Sequence, residues 1–332
     1  MKRHTVFILV WILLLLPATA FPRSCGAASC PLNTFRTLNG GWFCVGLSHE
    51  YIFQNQIYVG SSRSFVGAIP GHHDEVETLN EKNTLQFQLG VTDRLSMDLN
   101  VPFVHREHSH IQHEGINAAW ESWDFSGLGD MVLNGHYLVI ASDSSEFSPS
   151  VSILGGIKFA TGITGIRNAE GEEAEVTIQP GDGAVDGIAG IQFDQNIATV
   201  PTLSGKYATL PLQLGLSYQF TGKGTDDYRY GNTFLANVGT AYQILDRANL
   251  LLQLNARVQD YADPGLTDEP RENTGGTWIF LSPGLGLQFS DALHGYAFVQ
   301  IPVHEDVHGI QQTAGFNLLF NVTYSLDLVG GE

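Results

Sequence analysis

The chain is built on a two-residue rhythm. From Leu212 to Phe220, Leu212, Leu214, Leu216, Tyr218 and Phe220 are large and apolar, with Gln213, Gly215, Ser217 and Gln219 between them. Successive side chains of an extended strand point to opposite faces, so this segment has one oily face and one polar face. The rhythm recurs with Leu85, Phe87, Leu89 and Val91, and with Leu95, Met97, Leu99, Val101 and Phe103. It returns near the C-terminus with Phe316, Leu318, Phe320, Val322, Tyr324 and Leu326. Noisier versions cover 151–159, 234–244, 250–258 and 279–289. Counting the segments predicts about twelve strands, an even number as a closed up-and-down barrel needs.

Alternation does not orient the oily face, because a soluble sandwich buries it while a membrane barrel shows it to lipid. Two features favour lipid. The opposite face keeps Gln, Asn, Ser, Asp, Lys158 and Arg257 inside the strands, as a wet lumen requires. The connections also alternate in length. Short turns fall at 92–94, 142–146, 245–247 and 290–292, and long polar loops at 60–82, 104–129, 160–184, 221–230, 261–275 and 302–312. The connection at 194–206 is longer than a turn and departs from this pattern. The expectation is an all-β, up-and-down antiparallel transmembrane β-barrel of the bacterial outer membrane, in contact with outer-membrane lipid.

Residues 1–20 have the form of a signal peptide: Lys2 and Arg3, an apolar run over 6–16, then small Ala18 and Ala20. Export follows from it. Residues 21–42 are then a periplasmic or plug segment, 43–328 the barrel and 329–332 a tail. The three cysteines enter an oxidising compartment, where Cys25 and Cys30 can form a disulfide and Cys44 is left over. The formal net charge of -18 argues against nucleic acid, whose phosphates need basic residues.

Candidate chemistry falls into two groups. Of twelve histidines, His72, His73, His105, His108, His110, His113, His304 and His308 fall in three of the long polar segments. Barrel closure is expected to crowd those segments on one sector of the outer rim. Acids accompany them, so a transition metal such as Zn or Cu is a candidate ligand. The competing reading is a solvated loop whose imidazoles only titrate. The second group faces inward by alternation: Glu50, Asp98, Asn100, His136, Lys158, Asp186 and Arg257, with Gln54, Gln56 and Asn317. These either shape a field for a passing solute or satisfy one another across the lumen.

Three segments carry a family resemblance: Gly127-Leu128-Gly129-Asp130, the run from Gly155 to Gly162, and Gln179-Pro180-Gly181-Asp182-Gly183 followed by Asp186. Their order and spacing resemble the outer-membrane family named after the meta-pathway of phenol degradation, with Ala160 where that family more usually has proline. The resemblance implies a channel or transporter-like barrel for a small-molecule solute and carries no catalytic residues. A non-conducting barrel that captures metal or a partner through its loops is the rival reading, and a periplasmic partner is left open. An enzyme has little support, since no nucleophile elbow G-x-S-x-G occurs.

Overall fold

In the computed structural model, residues 38–68, 74–114, 117–142 and 145–329 are described. The signal segment, Cys25, Cys30, His72 and His73 lie outside them. The described chain forms strands β1 (Trp42–Val59), β2 (Ser62–Ser64), β3 (Asp74–Gly90), β4 (Leu95–Glu114), β5 (Asn117–Leu128), β6 (Val132–Ile140) and β7 (Ser150–Lys158). These are followed by β8 (Asp186–Pro201), β9 (Tyr207–Phe220), β10 (Thr233–Leu245), β11 (Ala248–Gln259), β12 (Gly276–Gln288), β13 (Leu293–Val307) and β14 (Ile310–Asp327). Each wall strand pairs antiparallel with its neighbours, and β14 pairs back onto β1 from Trp42–Asp327 to Val59–Ile310. The result is a closed barrel of twelve strands with two extras, β2 and β5. Closure leaves no unpaired backbone facing hydrocarbon, the condition for crossing a bilayer with strands.

The barrel is inside out relative to a soluble protein. Its buried set is dominated by polar and charged side chains, including Gln54, Asn80, Asp98, Lys158, Gln253, Asn255 and Asn321. Its exposed set is dominated by Leu, Ile, Val and aromatic residues on the opposite strand face, such as Ile153, Leu216, Leu252 and Phe320. Exposed aromatics collect at both ends of this oily wall: Tyr207, Phe289 and Tyr324 near one rim, Phe159, Phe220 and Phe316 near the other. Such belts mark the two membrane–water boundaries. Leu252, 47 % exposed at the centre of β11, is expected to tolerate no charge. Leu252→Arg should cost about 2–4 kcal/mol in urea titrations of the barrel folded into lipid vesicles. A cost below 1 kcal/mol would remove Leu252 from the lipid face.

The rim where β1 begins and β14 ends is tight. Val91 N donates to Leu95 O and Phe289 N to Leu293 O, closing short turns. Neighbouring turns are tied by Lys206–Asp246 at 2.6 Å and Arg247–Asp291 at 3.4 Å. Lys206 holds the Asp246 carboxyl below its ordinary range through a hydrogen bond and its charge. The segment 202–206 belongs to this rim, with Thr202 N bonded to Lys206 O, so strand pairing rather than loop occupies most of 194–206.

The far rim differs from the sequence expectation. Of the six long loops, 60–82, 104–129 and 302–312 are largely strand. β4 alone runs 20 residues, whereas an apolar belt of ~25 Å needs about ten tilted residues. The excess stands in water, where neither face must be apolar, so the oily alternation stops before the strand does. β5 pairs with that outer half of β4, and only His308 and Gly309 separate β13 from β14. The wall is therefore tall at β1, β3, β4 and β5 and short at β6 and β7. Segments 159–185, 221–232 and 260–275 connect the remaining strands at this rim.

Candidate functional site

The segment 159–185 turns into the lumen, and the three glycine-bearing segments meet where it is anchored. Lys158, at the end of β7, points inward between Asp130 at 3.0 Å, Asp186 at 3.3 Å and Asp182. Asp130 also accepts from the backbone N–H of Thr161, Gly162 and Asp182 at 2.9–3.1 Å. Gly162 and Gly181 touch backbone to backbone. A Cβ on Gly162 would lie 2.5 Å from Gly181 Cα, which no larger residue tolerates. One buried cation thus ties strand, loop start and loop end together.

Beyond the anchor, the loop is pinned across the lumen. Trp123 of β5 donates Nε1–H to Glu172 O at 3.3 Å, Arg106 of β4 donates to Thr177 O at 3.4 Å and Tyr230 donates its hydroxyl to Val176 O at 3.3 Å. Val176 packs with buried Tyr228, Tyr230 and Ala262, while Ala174 and Ile178 pack with Trp123. The loop therefore forms a floor inside the barrel.

Two cavities flank that floor. The outer one lies between the floor (Thr177, Ile178, Tyr228, Tyr230), the start of β14 and the segments around Gly67 and Pro270. The inner one is lined by Glu50, Lys82, Lys158, Asp182, Gln219 and Arg257 among others. Tyr230 lines both, so the two lie in series along the lumen.

Each inward candidate has a definite setting. Glu50 pairs with buried Lys82 at 2.5 Å. Asp98 accepts from Asn100 at 2.6 Å and Asn134 at 3.0 Å, and lies 2.5 Å from His136 Nε2. Lys158 and Asp186 belong to the anchor, with Asp186 also accepting from Gln219 and from the Gly222 N–H. Arg257 donates to Gln259 and lies 5.4 Å over the fully buried Trp278 ring. Gln54 donates to Gln312 O, and Asn317 to Gln300. Cross-strand satisfaction accounts for most of these groups, and Glu50, Lys158 and Arg257 also face the inner cavity. Ser96 is in register with His136, and both are 0 % exposed.

The described candidate histidines are spread over β4, β13 and the turn after it, because their segments are strands rather than loops. His108 and His110 point inward from β4, with His108 Nε2 3.3 Å from His110 Nδ1 and His110 Nε2 3.3 Å from Glu121. His105 faces the other side, beside Glu107 at 3.3 Å, and His304 is exposed on β13. His308 stacks on Tyr261 at 3.9 Å and bonds Thr274 O. His113 lies one residue before the end of β4, and its side chain is outside the described set. Among the described residues, no three His, Cys, Asp or Glu side chains converge where they could hold an ion. Cys44 is a buried free thiol donating to Ser325 Oγ at 3.3 Å.

Sequence reasoning missed Lys82, Arg106 and Tyr230, all inside segments read as loops. The signal available was polar alternation: Arg106, His108 and His110 occupy every second position.

No family model and no curated protein matches the chain. Solved structures do. An outer-membrane channel from Pseudomonas putida F1 superposes with a TM-score of 0.64 at 10% identity, over 90% of this chain and 100% of that one. A Pseudomonas aeruginosa FadL homologue matches at TM-score 0.42 and 10% identity, over 87% of this chain and 90% of its own. The P. putida toluene transporter TodX matches at 0.40 and 10%, over 88% and 91%. At such identities the first superposition speaks for the fold. With the closed wall and oily belt, it defines the chain as an outer-membrane β-barrel with a channel-like architecture.

Proposed function

We propose that this barrel conducts small solutes across the outer membrane, through a lumen narrowed by its inward-folded loop. The observation that carries this is the pair of cavities in series, separated by a floor one loop thick and sharing Tyr230. The lumen works as a selective path without catalysis. Its walls present amides and hydroxyls at regular spacing, and its charges are held by partners, so a solute meets a fixed polar field.

The purified barrel in planar bilayers is expected to show discrete openings, and arabinose-loaded proteoliposomes should release sugar faster than empty-lipid controls. A barrel with correct heat-modifiable gel mobility but neither property would be the rival, a closed binding barrel. We further infer kinship with the phenol meta-pathway family. Its support is that the three glycine-bearing segments, distant in sequence, meet around Lys158 and Asp130.

A further inference from the structure

A buried cation stands at the seam between the two cavities. On β3, Thr78 lines the outer cavity, while Asn80 and Lys82 line the inner one. Arg106 is the β4 partner of Asn80 and lies between the partners of the other two, His108 and Val104. It therefore faces the lumen at the level of the floor, and it is 0 % exposed. Nη1 makes one bond, to Thr177 O of the floor at 3.4 Å. Nε and Nη2 have no hydrogen-bond partner. Among the described residues no carboxylate pairs with Arg106, in contrast to Lys82 and Lys158. The nearby acids are engaged elsewhere. Glu175 and Glu269 accept the Thr177 hydroxyl, at 3.5 and 3.1 Å, and Glu50 holds Lys82 at 2.5 Å.

The two unused donors share a direction. Nε–H and Nη2–H lie on one edge of the planar guanidinium, the edge that grips both oxygens of a carboxylate. A buried charge with that edge unfilled is costly to the closed floor. Apolar surface stands beside it: Phe125, the β5 partner of Arg106, packs against the cluster of Trp123, Ala174 and Ile178. We propose that Arg106 recognises organic carboxylates, solutes that carry a carboxylate on an apolar or aromatic frame. The fork takes the two oxygens, and Phe125 and Ile178 take the frame. The floor holds Arg106 by one long bond, so 174–178 draws back as the ligand enters, and the filled fork favours that arrangement over the closed one. Seclusion from water strengthens the attraction. This deepens the channel reading and rests on it, since it names the solute class selected at the narrow point of the path.

Isothermal titration of the full barrel in detergent at neutral pH, with benzoate and its uncharged isostere benzamide, tests it. Benzoate is expected to bind about tenfold tighter than benzamide. Arg106→Gln should bring benzoate down to the benzamide level and leave benzamide unchanged. Arg106→Lys keeps the charge and loses the fork, so it should weaken benzoate about fivefold. Should Arg106→Gln lose heat-modifiable mobility, Arg106→Lys carries the test alone. Equal affinity of the parent for the two probes, or benzoate binding unmoved in the folded variants, overturns the proposal. Arabinose release by the parent separates the two claims. Release without benzoate preference sinks the carboxylate site alone, and benzoate preference without release sinks the channel alone.

Discussion

Lys158→Met is expected to release the lumenal loop and to lower the stability of the folded barrel by about 3–5 kcal/mol. Methionine keeps the length and apolar stem of lysine, so the change is chiefly electrostatic. The ammonium serves three buried carboxylates at once, Asp130 at 3.0 Å, Asp186 at 3.3 Å and Asp182. Without it, three largely buried acids share one site, and at least one must take up a proton or leave. Leaving means moving the loop, because Asp182 sits on it and its backbone N–H bonds Asp130. Asp186→Asn is expected to cost less, under about 2 kcal/mol, since it lowers the surplus of negative charge and can keep the Gly222 N–H bond. Urea midpoints of the heat-modifiable band, read for both variants, check this. A Lys158→Met midpoint equal to that of the parent would show that packing, not charge, holds the loop.

Replacing residues 165–178 by a short Gly-Ser linker is expected to raise single-channel conductance roughly threefold or more, since pore conductance follows the narrowest cross-section. The excised stretch carries Glu172, Val176 and Thr177, the points at which Trp123, Tyr230 and Arg106 hold the floor. It leaves Lys158, Gly162, Gly181 and Asp182 in place, so the anchor survives and the wall is untouched. The outer and inner cavities would then join. Conductance equal to that of the parent, with the barrel still folded, would place the constriction elsewhere. One alternative location is the cluster of Phe298 and Leu319 with Leu251 and Tyr296 on the lumen side of β11, β13 and β14.

How far the sequence could be read depends on where lipid ends. Between the aromatic belts each strand must show hydrocarbon one face and water the other. Leu212 to Phe220 therefore displays its strand plainly, and the barrel with its twelve wall strands was legible from such runs. Above the belt both faces meet water. There Glu107, His108, Ser109 and His110 read as a polar loop although they continue β4 in register with β3 and β5. The same blindness hid Lys82, the partner of Glu50, because residue 82 was assigned to a loop. The anchor was half visible: Asp130, Lys158, Asp182 and Asp186 stood in three recognisable segments. Their meeting at one point depends on how far the loop turns inward, and that turn is set by the backbone contact of Gly162 with Gly181. No local pattern announces such a long-range contact. The clustering of histidines along the chain misled for a related reason. On a strand, neighbours in sequence go to opposite sides, so His105 left the company of His108 and His110.

The pairing of β1 with β14 has a consequence for how the molecule is made. Its first and last strands complete one another, so a ring of this kind has no half-finished state that lipid can accept. The polypeptide must stay sheltered until β14, eighteen residues long, has arrived, and loss of that strand alone would forfeit the whole wall. Biogenesis, by this logic, is all or nothing, and the pairing of β14 with β1 decides it.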